Sequence, residues 1–273
     1  MNPSVTIDTV LSLAAEEAGM NASSAPEQRW LDGWLLRHCA VKAKRSRCIY
    51  PLAPGRLPLA ERLARARAAY RAAGLPMVLR LHDAAGTAMR DETGRPLDEA
   101  LAEAGLARID DTRVLVQPDL AGGAAVALLA RALPAGLRLE PVEPVAYAEL
   151  IGGLRASPAG QRSAHARRLA LAPVPHRGMA LRDAHGELLA CGQYAREDTR
   201  VGLYDVAVPV AQRGHGWSAL LCAALLARAR DEGATMAYLQ VEADNTPALR
   251  TYARLGFVQA YAYHYRCDAA ELG

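Results

Sequence analysis

Val206-Ala-Val-Pro-Val-Ala-Gln-Arg213-Gly214-His-Gly216-Trp-Ser218-Ala-Leu-Leu joins a β-type apolar run to one with helical spacing through a basic turn that holds two glycines. Gly214 and Gly216 allow a ligand to approach the backbone without meeting a Cβ. The first N–H groups of the following helix lack intrahelical acceptors, and the helix dipole places partial positive charge at that end. Arg213 adds a full charge beside them. The stretch therefore reads as a strand–turn–helix junction suited to an anion such as a phosphate. Taken alone it reads no further than a solvated strand-to-helix loop with two glycines.

A second signature follows. Asn245-Thr-Pro-Ala248-Leu-Arg-Thr-Tyr252-Ala-Arg-Leu-Gly256-Phe257 comes just after another strand-like stretch, 235–241. Together the two segments resemble the GNAT superfamily of N-acetyltransferases. The resemblance implies that Arg213, Gly214, His215, Gly216, Trp217 and Ser218 form the turn that holds the pyrophosphate of acetyl-coenzyme A. Ser218 stands where the family has Gly or Ala, a mild departure because Ser is small and keeps its N–H. The backbone of Val206, Ala207 and Val208 becomes the rail for the pantetheine arm, on a strand that splays from its neighbour. Tyr252 matches the tyrosine whose hydroxyl protonates the leaving thiolate; without the resemblance it is an aromatic packed on a helix face. Asn245 orients the pantetheine or caps the helix that Pro247 begins. Many relatives carry a Glu general base near the position of Gly202. Asp205 is the nearest carboxylate here, with Glu242, Tyr204, His264 and bulk water as alternatives.

Length and composition set the frame. With 273 residues, about half of them apolar, the chain suits two modest domains. The net charge of +3 is small and the charges are mixed along the chain, so neither nucleic acid nor a membrane surface is expected as a partner. Lys42-Ala-Lys44-Arg45-Ser-Arg47 is the one basic cluster, and without interleaved aromatics it reads as a solvated strand edge. The five cysteines lack metal-ligand spacing and a disulfide framework, which predicts buried thiols and no metal. Asp8, Glu16 and Glu17 interrupt the apolar run 5–18, which reads as an amphipathic helix rather than a leader. A cytoplasmic location is expected.

The C-terminal half alternates elements: a strand at 137–140, helices at 145–154 and 161–171, strands at 179–183, 188–194 and 201–208, a helix at 217–230, the strand 235–241, a helix at 247–255 and strand material at 257–266. The N-terminal half echoes the end of this plan. Ala68-Ala-Tyr-Arg-Ala-Ala-Gly74-Leu-Pro-Met-Val-Leu-Arg-Leu parallels the helix and strand that end at Val241, and Leu97 to Arg108 parallels Ala248 to Gln259. Leu101 stands where Tyr252 stands. Gly55-Arg56-Leu57-Pro58-Leu59 replaces the glycine turn with a segment that has one glycine and loses an N–H to proline. Trp30-Leu-Asp-Gly-Trp34-Leu-Leu-Arg37 reads as an apolar strand with a turn before it.

The expected fold is α+β: two tandem GNAT-like domains, each a mixed, mostly antiparallel sheet flanked by helices. A helical segment at 1–25 precedes a degenerate domain at 26–120, a linker with helical character at 121–136, and a catalytic domain at 137–268. The resemblance implies direct acetyl transfer from acetyl-coenzyme A to a primary amine of a small-molecule or peptide acceptor, in a monomer by tandem pairing or a homodimer. Two other functions fit parts of the sequence. A non-catalytic acyl-coenzyme A sensor would keep the turn without a clear base, and Gly214-His-Gly216-Trp-Ser-Ala219 also satisfies the dinucleotide-binding spacing of an oxidoreductase.

Overall fold

The computed structural model describes residues 9–82, 89–129 and 133–268. The first four residues of the expected helix 5–18, and the end of the apolar run that begins at Ala121, lie outside them. The N-terminal half runs α1 (Thr9–Ala22), β1 (Glu27–Leu31), β2 (Trp34–His38), β3 (Ile49–Pro51), α2 (Leu59–Ala72), β4 (Val78–His82), α3 (Leu97–Glu103) and β5 (Leu106–Gln117). After α4 (Gly123–Leu129), the C-terminal half runs β6 (Arg138–Val142), α5 (Pro144–Leu154), α6 (Ala159–Leu171), β7 (His176–Arg182), β8 (Leu188–Glu197), β9 (Arg200–Ala207), α7 (Trp217–Asp231), β10 (Met236–Glu242), α8 (Thr246–Arg254) and β11 (Val258–Asp268).

All eleven strands belong to one sheet, in the order β1-β2-β3-β4-β11-β5-β10-β9-β8-β7-β6. At its centre the halves exchange their last strands. β11, the final strand of the C-terminal half, lies between β4 and β5, and β5 lies between β10 and β11, all antiparallel. The units β4–α3–β5 and β10–α8–β11 are thus each split by the other's last strand, a reciprocal arrangement about the β5–β11 pair. The halves repeat, but the sheet runs unbroken through both.

Among the described residues two neighbouring strand pairs are parallel, β3–β4 and β9–β10, each joined by one helix, α2 or α7. A doubly wound dinucleotide fold needs a run of such units, and after β10 the chain returns antiparallel instead. Side-chain alternation sorts the core onto two faces. Ala237, Leu239 and Val241 of β10 pack with Leu221, Leu225 and Leu226 of α7. Met236 and Tyr238 of the same strand pack with Ala15, Ala18 and Ala22 of α1. Trp34, Leu36, Ile49 and Leu79 form a third cluster with Leu63 and Tyr70 of α2.

The turn expected before the strand in 30–37 is the closing turn of a hairpin: Asp32 and Gly33, with φ of 43° and 84°, join β1 to β2. These left-handed values are those a two-residue hairpin turn requires, and Asp-Gly supplies them. The basic cluster 42–47 is no solvated strand edge. It contains a 3-10 turn, Lys44–Ser46, and Arg45 is turned inward, its guanidinium lying 5.2 Å from the centroid of the Tyr204 ring.

Candidate functional site

The parallel strands β9 and β10 pair only from Arg200↔Met236 to Leu203↔Leu239, although both continue beyond. From Tyr204 onward they part. The cause lies in the register of β9 against β8, which jumps from Gln193↔Tyr204 to Cys191↔Ala207 and so inserts one extra residue into β9. Asp205 sits in that bulge at φ 50°, a left-handed conformation Asp tolerates better than most residues. Backbone groups of Val206 and Ala207 on the β10 side are therefore left without a strand partner. β9 ends at Ala207, and Val208 follows directly.

The bulge is clamped from three sides. Tyr147 of α5 donates its hydroxyl to the Asp205 carbonyl at 3.0 Å. Gln193 Nε2 of β8 donates to Asp205 Oδ2 at 3.1 Å, and Arg155 Nη1 to Asp205 Oδ1 at 2.7 Å. His165 Nε2 of α6 lies 3.4 Å from Oδ2. Burial pushes the Asp205 carboxyl up, but Arg155, His165 and Arg45 outweigh it and hold it well below the usual carboxylate range. A carboxylate so stabilised is a poor proton acceptor. His165 titrates down at about 4, because burial outweighs the attraction of Asp205.

Gly214 and Gly216 have φ of 84° and 81°, and a Cβ at either would meet nothing within 4 Å. The turn is exposed. Gly216 caps α7, whose first backbone bond is Leu220 N–H to the Gly216 carbonyl at 3.1 Å. The N–H groups of Trp217, Ser218 and Ala219 have no intrahelical acceptor, and no side chain caps them. Arg213 makes no ion pair among the described residues. His215 stacks on Trp217 with ring centroids 6.2 Å apart. This open, positively polarised helix end can receive a phosphate.

The matching turn in the N-terminal half is closed by the chain's own anions. Asp32 Oδ2 accepts the N–H groups of Arg56 and Leu57, both at 2.8 Å, and Glu92 Oε1 accepts that of Leu59 at 3.0 Å. A Cβ at Gly55 would lie 2.4 Å from Asp32 Oδ2 and 2.5 Å from Arg62 Nη1. The loss of an N–H at Pro58 was legible in the sequence. The two internal carboxylates were not, since Glu92 arrives from 33 residues further along the chain.

Tyr252 packs on the α7 side of the sheet, its ring edge-on to Phe257 at 5.9 Å. Its hydroxyl has no hydrogen-bond partner among the described residues, and burial raises its pKa well above that of a free tyrosine, so it stays protonated. Asn245 caps α8, its Oδ1 accepting from Ala248 N at 3.2 Å. The remaining candidates are dispersed. Tyr204 is buried with its hydroxyl 2.8 Å from that of Tyr238. His264 is held by Asp98 at 2.7 Å in the N-terminal half, and Glu242 is exposed on β10. At Gly202 a side chain would collide with the rings of Tyr204 and Tyr238, 2.6 Å from a Cβ, so the position has no room for a glutamate.

A second group of residues lines a pocket beside Asp205 that sequence reading missed. Lys42 and Arg45 from the N-terminal half face Arg155, His165 and Arg168 from the α5–α6 region across it. The basic composition of 42–47 was the available signal, but only the tertiary fold shows what it faces. Among the described residues no cluster of His, Cys, Asp or Glu could hold a metal ion, and no helix is long and apolar enough to cross a membrane.

Residues 147–257 match the model of the acetyltransferase (GNAT) family. Residues 13–137 match a model described as the C-terminal part of the probable histone acetyltransferase Rv0428c. No curated protein matches the sequence. Among solved structures, a GCN5-related N-acetyltransferase from Kribbella flavida is 18% identical with a TM-score of 0.63, the match covering 97% of each chain. A tandem GNAT protein from the clavulanic acid biosynthesis pathway is 20% identical with a TM-score of 0.58, covering 76% of this chain and 68% of that one. A conserved protein of unknown function from Staphylococcus epidermidis is 13% identical with a TM-score of 0.59, covering 89% and 94%. At these identities the likeness is one of fold.

Proposed function

From a chain that carries a GNAT acetyltransferase domain behind an Rv0428c-type domain, we propose an acetyl-coenzyme A-dependent N-acetyltransferase that works by direct transfer to a primary amine, with one working site, in the C-terminal half. The observation that carries this reading is the contrast between the two helix ends: α7 presents free N–H groups behind an open glycine turn, whereas Asp32 and Glu92 occupy the N–H groups at α2.

Acetyl-coenzyme A supplies an acetyl group as a thioester, already activated for attack by an amine. The N–H groups from Gly214 to Ser218, with Arg213, bind the pyrophosphate. The unpaired backbone of Val206 and Ala207, continuing into Val208, guides the pantetheine and polarises the carbonyl, where preorganised donors favour the developing oxyanion. Asn245 holds the start of α8 and so fixes Tyr252. Tyr252 donates its hydroxyl proton to the departing sulfur and regains one from solvent. The amine nitrogen bonds the acetyl carbon as the C–S bond breaks, and it gives up its own proton to solvent. Asp205, bound to Arg155, shapes the strand and the acceptor's entry; water is the base.

The test is transfer measured over a panel of amines with the intact protein and with Tyr252→Phe. Loss of a proton donor predicts a kcat lower by about 100-fold or more with acetyl-coenzyme A affinity unchanged. Tight acetyl-coenzyme A binding with transfer to no amine would instead favour the sensor.

A further inference from the structure

The pocket beside Asp205 carries unbalanced charge. Five cations line it, Lys42, Arg45, Arg155, Arg162 and Arg168, against the single carboxylate of Asp205. Arg155 is taken by Asp205 at 2.7 Å, and Arg162 by Glu149 at 2.8 Å. Lys42, Arg45 and Arg168 have no carboxylate at ion-pair distance among the described residues. Arg168 is only 4% exposed. Its Nη1 donates to the Ala22 carbonyl at 3.2 Å, while its buried Nε has no hydrogen-bond partner. Arg45 donates Nε to Ser23 Oγ at 3.1 Å and lies against the Tyr204 ring. Asp205 attracts Arg45 and Arg168 from beyond ion-pair distance but is already bonded to Arg155, and a buried cation left without a full counter-charge costs several kcal/mol. An arriving anion would offset that cost.

We infer that the acceptor is a small amine that carries a carboxylate, and that Arg45, Arg168 and Lys42 receive this carboxylate beside Asp205. The inference rests on the acetyltransferase reading and names the substrate class for that same site. A guanidinium fork matches a carboxylate in shape and charge. The pocket is small, about 30 Å³, which suits a group of carboxylate size, and Asp205 on its wall adjoins Val206 on β9. The same positive charge disfavours an ammonium nearby, so it releases the neutral amine that attack requires without a strong protein base.

The experiment compares matched acceptors with the full chain at saturating acetyl-coenzyme A: 4-aminobutyrate against n-butylamine, and alanine against alaninamide. A charged hydrogen-bond pair predicts kcat/KM about 10- to 100-fold higher for each carboxylate. Arg45→Gln should collapse that preference and Arg45→Lys should keep part of it. Should Arg45→Gln misfold by circular dichroism, Lys42→Gln, at an exposed position, carries the same comparison. Turnover of n-butylamine and alaninamide equal to or above that of their partners overturns the inference and leaves the acetyltransferase reading standing. Transfer to neither class overturns both.

Discussion

His165 and His176 stand close to Arg168 and neither is charged at neutral pH. Burial, reinforced by Arg168, brings His176 down to about 3, and burial brings His165 down to about 4. In the unfolded chain both would titrate at the ordinary value of 6.5. Below that pH the unfolded state binds protons that the folded state refuses, so stability is full above pH 6.5 and falls as the pH drops toward 4 and then 3. Asp205, with its lowered pKa, adds stability that is present above the ordinary 3.8 and fades below it. Melting temperature should thus fall steadily from pH 6.5 to 4, and His176→Gln should make the whole of that slope shallower. A melting temperature flat between pH 7 and 4 would show that these imidazoles are not held neutral. The presence of these histidines could be read in the sequence. Their neutrality could not, because it comes first from burial that only the folded chain creates, with Arg168 and Arg45 adding to it.

At the scale of elements, helices and strands of the C-terminal half were legible because their apolar periods of 3.6 and 2 are clean. The glycine turn was legible because φ above zero at two positions calls for glycine. The Asp205 bulge was not, since a one-residue register shift exists only relative to β8. Gly202 shows the consequence. The Tyr204–Tyr238 hydroxyl pair fills the space beside it, and Gly202→Glu would bury a carboxylate against two rings. A loss of about 3 kcal/mol or more is expected in urea unfolding, from overpacking and an unpaired buried charge. A stable variant with raised transfer activity would mean instead that the site accepts a carboxylate base there.

At the scale of the molecule, alternation within β5 and β11 says that each is half buried but not which strand lies beside it. A strand paired with its own half and one exchanged with the other carry the same pattern, so the exchange was invisible to the sequence. It makes the halves interdependent. Cutting the chain within 121–136 and isolating residues 137–268 would remove β5 from between β10 and β11 and expose both edges. That fragment alone should show no cooperative thermal transition, while the two fragments produced together should reassemble and melt as one. A C-terminal fragment that melts cooperatively alone would contradict the interdependence.

The repeat and its asymmetry meet in a single number, the count of acetyl-coenzyme A molecules bound per chain. Isothermal titration of the full chain should give one site, lost in Gly216→Glu, whose added carboxylate enters the place of the pyrophosphate while circular dichroism stays unchanged. Two sites, or one that survives Gly216→Glu, would contradict the assignment of acetyl-coenzyme A to the helix end of α7.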